Sequence, residues 1–205
     1  EKLTGHLDWH NNVADNAWTQ GSPAPLISLM IPDCIENARG YYDRGARYNV
    51  VAPHIGGMAN IANSLLVIRK LVYEEKSLTL AKFVDILRRD WDGEEPLRRL
   101  VLRRFPAYGN DAEEADAMMV RVFNDYTRLV ERVRERNGVL RPAGISTFGR
   151  EIGWRGPDGG RAASPDGHRA EEILATNCSP SPGSDQQVPT AVLKSYCKLD
   201  FTQSP

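Results

Sequence analysis

Apolar residues recur at spacings of three and four along most of the first two thirds of the chain, and this spacing predicts a helix-rich body. Ile61, Leu65, Ile68 and Leu71 mark one helix behind Gly56-Gly57. Leu80, Phe83, Val84, Leu87 and Trp91 mark the buried face of a second, running from Thr79 to Trp91. Pro96 suits the first turn of a third, which continues through Phe105. The longest stripe is Ala115, Met118, Met119, Val122, Tyr126, Leu129, Val130 and Val133. It predicts a helix with Asp111 and Glu114 as a capping box and Asn137-Gly138 as its end. A methionine-bearing stripe of this kind reads as core.

Shorter elements flank these helices. Ser22-Pro23-Ala24-Pro25 breaks any helix before Leu26. Leu26, Ile27, Leu29, Met30 and Ile31 then form an apolar run that is expected to be buried. Pro32 starts a short helix through Cys34 and Ile35, with Gly40 as its end. Gly45 to Val51 reads as a short strand. The character changes at Gly144: Gly144-Ile145-Ser146-Thr147-Phe148 reads as a strand, and alternation puts Ser146 and Phe148 on one face. Gly, Pro and Ser dominate 153–190, the composition of a loop that needs a larger body to pack on. The chain has no internal repeat.

Charge narrows the function classes. The 205 residues carry 26 basic and 27 acidic side chains, a net charge of -1, so no strong pull toward nucleic acid or a membrane surface is expected. The cluster Arg98, Arg99, Arg103 and Arg104 reads as a solvated or ion-paired face. No run of about 18 apolar residues is present, so no transmembrane helix is expected. Cys34, Cys178 and Cys197 have no short spacing and read as reduced thiols of a cytoplasmic protein. His6 and His10 share a helical spacing but lack a third ligand nearby, so no metal site is expected. Gly56-Gly57 lacks a following Lys-Ser or Lys-Thr, so close backbone packing is expected there instead of a phosphate cradle. The first residues show neither an initiator methionine nor a signal-peptide pattern, and both ends are expected to be cuts through a longer protein.

Five segments in one order carry a more specific message. They are Tyr108-Gly109-Asn110-Asp111, Gly144 to Phe148, Ser164-Pro165-Asp166-Gly167, Ser179-Pro180-Ser181-Pro182-Gly183, and Pro189 to Asp200. With Asp33-Cys34-Ile35-Glu36, Gly45-Ala46-Arg47-Tyr48-Asn49 and Ala59 to Leu65 they resemble the later part of the catalytic domain of glycyl radical enzymes. That family includes pyruvate formate-lyase and the diol dehydratases. Tyr108 to Asp111 and Pro189-Thr190-Ala191 look like its dehydratase and lyase branch. The resemblance covers nearly the whole chain from about Pro25 onward.

The resemblance implies an α/β fold, part of a ten-stranded α/β barrel, helix-rich in its first two thirds and loop-rich in its last third. It implies that residues 1–205 are a fragment of a single pyruvate formate-lyase-like catalytic domain. It implies thiyl-mediated hydrogen abstraction from a small organic substrate. The radical would be installed on a glycine by an activating enzyme that uses S-adenosylmethionine. A homodimer is common in the family. The family's thiyl cysteine lies upstream of these segments and its glycyl radical loop downstream, so no catalytic residue is expected in this chain. Cys34-Ile35-Glu36 mimics the Cys-x-Glu spacing but sits in the later structural element. Ser146 and Phe148 are the residues expected to line the substrate pocket, and no metal or bound cofactor is expected. The alternative is a catalytically inactive fragment or assembly piece from a truncated or split gene. An independent helical interaction module fits less well, because the Gly/Pro-rich second half would have no core of its own.

Three departures from the family pattern stand out. His168 follows Pro165-Asp166-Gly167 where the family has Arg. Glu171 and Ile173 stand in Ala170-Glu171-Glu172-Ile173 where the family reads Ala-Gly-Glu-Pro. Val188 precedes Pro189-Thr190 where the family has Gly. A β-branched residue at a positive-φ position would store about 1–3 kcal/mol of strain.

Overall fold

The computed structural model describes residues 21, 24–50, 54–132, 135–136, 139–140, 143–145 and 162–204. Contacts divide the chain into two compact units.

The first unit holds the described parts of Glu1–Pro53 and Tyr126–Gly144, with Gln203 and Ser204. Its described part includes helix α1 (Pro25–Leu29) and helix α2 (Pro32–Glu36), each with a proline in its first turn. The Ser28 hydroxyl donates to Ala24 O (2.7 Å) and accepts from Tyr41 N–H (2.9 Å). The apolar run after Pro25 is therefore helical, and it is not buried: Leu26 is 74% and Met30 82% exposed. A five-residue helix presents several faces, and of α1 and α2 it is Cys34 that becomes core. Helix α2 ends at Glu36, short of Gly40. Arg39 N–H reaches Cys34 O and Ala38 N–H reaches Ile35 O, a Schellman closure with Ala38 at φ 49 where glycine is usual. Strand β1 is only Asn49–Val50, since the residues before it bend. It pairs in parallel with β4 (Val139–Leu140), which pairs antiparallel with β3 (Glu135–Arg136).

The second unit, His54–Asp125 with the described part of Ile145–Thr202, carries the larger core. Strand β2 (His54–Ile55) leads into helix α3 (Met58–Ile68), which widens into a π turn over Arg69–Glu74. Helix α4 (Leu80–Arg88) follows, capped by the Thr79 hydroxyl, which accepts from Lys82 N–H. Helix α5 spans Glu95–Arg104. Val67, Leu71, Phe83, Ile86, Trp91 and Val101 pack these helices together. Helix α4 stops three residues before Trp91. The turn puts Asp90 and Trp91 at positive φ, yet Trp91 is fully buried, edge-on to Phe83 at 5.8 Å. Leu80 and Val84 are left largely exposed.

Helix α3 buries a different face from the one its apolar spacing marks. Met58, Ala59, Ala62, Leu66 and Val67 are buried, while Ile61 and Leu65 are 39% and 42% exposed. Asn60, Asn63 and Ser64 are buried alongside them. Asn60 and Asn63 sit inside here because chain crossing this face supplies hydrogen-bond partners, which removes most of their burial penalty, whereas the Ser64 hydroxyl has none among the described residues.

Helix α6 (Glu113–Glu131) is the longest among the described residues, and it ends before Asn137-Gly138, which lie outside them. Ala115, Met118, Met119, Phe123 and Val130 form its buried stripe. The expected capping box is absent. Ala112 O accepts the first helical bond from Asp116 N–H, and Asp111 sits at φ 52. Glu114 instead pairs with Arg69 and Lys70 of the π turn. Strand β5 (Gly144–Ile145) precedes the loop-rich region, and helix α7 (Pro189–Tyr196) is followed by a 3-10 turn at Phe201–Gln203.

Val188, at φ -64, is the ordinary extended residue before α7, so the strain expected from a missing glycine is not there. Glu171 does sit at φ 66 where the family pattern has Gly. Replacing it with glycine removes the left-handed penalty, partly offset by the entropy of the unfolded chain. Glu171→Gly is expected to raise stability by about 1 kcal/mol, read from urea midpoints.

Surface carboxylates carry a pH signature. A hydrogen bond from Arg169 holds the Glu95 carboxyl below its ordinary range. Lys70 does the same for Glu114, and Lys194 for Asp111. Lowered folded values mean stability that is present above the ordinary values of 4.5 and 3.8 and is lost as pH falls through the folded ones. The urea midpoint is expected to hold between about pH 7 and 5 and to fall below about pH 4. An equal fall in 0.5 M salt would argue against these exposed pairs as its cause.

Candidate functional site

Four of the five family-like segments meet at one junction in the second unit, and buried amides of α3 hold them there. Asn60 Oδ1 accepts from Ala175 N–H (2.8 Å), and Asn60 Nδ2 donates to Asp166 Oδ2 (2.8 Å). Asn63 Oδ1, one turn later, accepts from Tyr108 N–H (2.9 Å), and its Nδ2 lies 3.5 Å from Ser181 Oγ. Asn110 ties the rest. Its Nδ2 donates to Ala107 O and Ser184 O, and its Oδ1 accepts from Gln186 and Gln187 N–H. Three asparagines thus replace the secondary structure that 162–188 lacks.

The end of α7 and the residues just after it close the junction. Ser195 is fully buried. Its hydroxyl accepts from Asp111 N–H (2.9 Å) and donates to Asp116 Oδ2 (3.0 Å). Lys198 Nζ reaches the same Asp116 oxygen at 2.7 Å, with Asp111 and Glu113 at 3.2 and 3.3 Å. Asp116 is completely buried, and its Oδ1 has no partner among the described residues. Hydrogen bonding to Asp116, foremost, raises the Lys198 ammonium above its ordinary range. The Tyr108 hydroxyl is buried without a partner among the described residues, and burial pushes its ionisation up as well.

Beside the junction lies a cleft of about 950 Å³ between α3, α5 and the 166–187 loop. Such a volume suits a small organic molecule. Its walls include Asn60, Asn63, Arg98, Arg103, Asp166 and His168. Arg98 Nε donates to Gly167 O (2.7 Å), which fixes that loop to α5. Gly167, at φ 92, presses on Leu102, where a Cβ would come within 2.8 Å of a methyl carbon.

The sequence candidates are placed as follows. Ser146 and Phe148 lie outside the described residues, as do His6 and His10. Cys178 is buried at the junction, and burial pushes its thiol up to about 11, which leaves little thiolate at neutral pH. Cys34 is buried on α2 in the first unit, and Cys197 is exposed. Gly57 N–H is bonded to Ala175 O and Gly57 packs on Leu174, so the Gly pair serves close packing. The arginine cluster is largely ion-paired: Arg98 and Arg99 with Glu95, and Arg104 with Glu75. Sequence reasoning missed Asp116 and the roles of Asn60 and Asn63. Two asparagines three apart on an otherwise apolar helix face were the available signal. Among the described residues no group of three metal-ligating side chains occurs, and no helix is long and apolar enough to cross a membrane.

Known proteins match this architecture closely. The pyruvate formate lyase-like family model matches residues 1–153. The trans-4-hydroxy-L-proline dehydratase of Clostridioides difficile is 32% identical over 200 residues, which cover 95% of this chain and 24% of that protein. Among solved structures, the B12-independent glycerol dehydratase of Clostridium butyricum aligns over 96% of this chain and 25% of its own, at TM-score 0.79 and 30% identity. A glycyl radical enzyme from Archaeoglobus fulgidus aligns over 95% of this chain and 24% of its own, at TM-score 0.80 and 31% identity. The chain spans about a quarter of the length of these relatives. With the family-like segments meeting at one junction and the fold shared over nearly every residue, the chain belongs to the pyruvate formate lyase-like family of glycyl radical enzymes.

Proposed function

We propose that this chain is one stretch of the single catalytic domain of a glycyl radical dehydratase or lyase that acts on a small organic substrate in the cytoplasm. The observation that carries the reading is a match to dehydratases across almost the whole chain, in both sequence and fold. The glycyl radical and the cysteine it oxidises belong to the rest of that domain, where they supply hydrogen abstraction from the substrate. A radical S-adenosylmethionine enzyme is the proposed partner that installs the radical, and a homodimer is the proposed assembly.

This chain's own residues shape and seal. Asn60, Asn63 and Asn110 hold the 162–188 loop against α3. A wall fixed in this way keeps water from a reactive cavity without needing regular secondary structure. Ser146 and Phe148 are proposed to line the substrate pocket. The large exposed side chains of Leu26, Leu29 and Met30 are proposed to be covered by the rest of the domain.

A second reading, an inactive assembly piece from a split or truncated gene, is favoured by one observation: Glu171 holds a strained position where the family pattern has Gly. The deciding experiment co-expresses the full reading frame around this chain with a radical S-adenosylmethionine activating enzyme under anaerobic conditions. A glycyl radical doublet in the electron paramagnetic resonance spectrum supports the first reading. An intact, folded product with no such signal supports the second.

A further inference from the structure

We propose that residues 169–173 form a strap along one wall of the second unit's cleft, and that the strap opens on its own when an ion-pair clasp to α5 and the turn before it is released. The device belongs to the cleft itself and does not rest on the radical chemistry.

The strap runs between two fixed points. On one side His168 is buried, its O accepts from Ser164 N–H (3.0 Å), and Arg98 Nε holds Gly167 O (2.7 Å). On the other side Ala175 is buried. Its N–H donates to Asn60 Oδ1 (2.8 Å), and its O accepts from Gly57 N–H (3.0 Å). Between these points no residue is buried: Glu171, Glu172 and Ile173 are exposed, and Arg169 and Ala170 are half-buried. Apolar burial therefore fixes the two ends and leaves the strap to other forces.

Those forces are polar and reachable by water. Ala170 N–H donates to Asp90 Oδ1 (2.7 Å), Arg169 Nη1 to Asp90 O (3.1 Å), and Arg169 Nη2 to Glu95 Oε2 (2.8 Å). Glu172 lies 3.7 Å from Arg98, and Glu171 is engaged as well. The side chains of Arg169, Asp90 and Glu95 are each more than a third exposed, so solvent can replace the clasp at little cost. The strap also closes on itself. Glu172 Oε2 accepts from Arg169 N–H (2.8 Å), and Arg169 O accepts from Glu172 N–H (3.4 Å). It can therefore leave as one turn. Glu171, at φ 66, adds backbone strain that works against the closed position. Exposed ties with no buried side chain behind them are the signature of a segment that opens below the stability of its surroundings. Glu171, Glu172 and Ile173 line the cleft, so opening removes that part of its wall.

Native-state hydrogen exchange of the chain tests this, read as protection factors at the Ala170, Ala175 and Gly57 amides. Ala170 is expected to be at least about tenfold less protected than the other two. Raising sodium chloride from about 0.05 to 0.5 M is expected to lower its protection further and to leave Ala175 and Gly57 unchanged, because salt screens the clasp. Arg169→Gln is expected to lower Ala170 protection about tenfold, with a far smaller change at Ala175. Glu95→Gln, which removes the clasp from the α5 side, is expected to act in the same direction. Ala170 protection equal to that of Ala175 would mean that the segment moves only when the whole unit unfolds, and overturns the proposal. Protection at Ala170 that neither variant lowers overturns it too.

Discussion

Lys198→Met is expected to lower stability by roughly 2–4 kcal/mol, a large fraction of what a domain of this size has. The reason is Asp116. Its carboxylate is completely buried, and Oδ2 has two partners, Lys198 Nζ at 2.7 Å and Ser195 Oγ at 3.0 Å. Removing the ammonium leaves a buried charge held by one hydroxyl, with Asp111 and Glu113 close by as further negative groups. Lys198 is about a third exposed, so solvent softens the loss relative to a fully buried pair. Two controls isolate the cause. Asp116→Asn in the Lys198→Met background is expected to recover part of the loss, because no charge is then stranded. In the unaltered protein the contribution should be flat up to about pH 10. A lysine raised in the folded state keeps its stabilisation below the ordinary value of 10.5 and loses it only above. Urea unfolding followed by circular dichroism reads all three. A Lys198→Met loss under about 0.5 kcal/mol would show that the ion pair does not hold the junction.

This latch shows what the sequence could and could not tell. The helices were legible because their apolar residues keep a period near 3.6, and α4, α5 and α6 appear close to where the spacing puts them. Which face they bury was less legible. Ile61 and Leu65 keep the right period but lie outward, because α3 buries Asn60 and Asn63 against loops more than a hundred residues away. Asp111 reads as a helix cap by its local chemistry, yet Lys194 and Lys198 occupy its carboxylate. Local rules lose at such places because a distant charge offers more than a cap. The junction itself was legible only as a set of segments in order. Composition made 162–188 look like bare loop, and only the fold supplies the amides that hold it. Val188 taught the opposite lesson: a departure from the family pattern is neutral where the backbone is extended.

Gly109→Ala is expected to cost about 3 kcal/mol or more, through two separable effects. Gly109 sits at φ 98, where an L side chain is strained by about 1–3 kcal/mol. An added Cβ would also lie 2.2 Å from Pro180 Cγ and 2.8 Å from its Cβ. The proline cannot easily retreat, since Ser179 N–H is bonded to Thr176 O and the Ser181 hydroxyl faces Asn63. Any movement therefore pulls on the Asn63 and Asn110 ties that align Tyr108 with the 181–187 loop. Pro180→Gly in the same chain is expected to remove both colliding carbons and leave the backbone strain at residue 109. Measured against Pro180→Gly alone, the double variant should then show a smaller loss, which is chiefly the φ penalty. Hydrogen exchange adds a local readout. The amides of Tyr108, Gln186 and Gln187, which donate to Asn63 and Asn110, should lose protection first in Gly109→Ala. A variant that keeps both its urea midpoint and those protections would mean that the loop can slide away from α3. In that case the asparagine ties alone, and not the glycine–proline contact, would set the shape of the cleft.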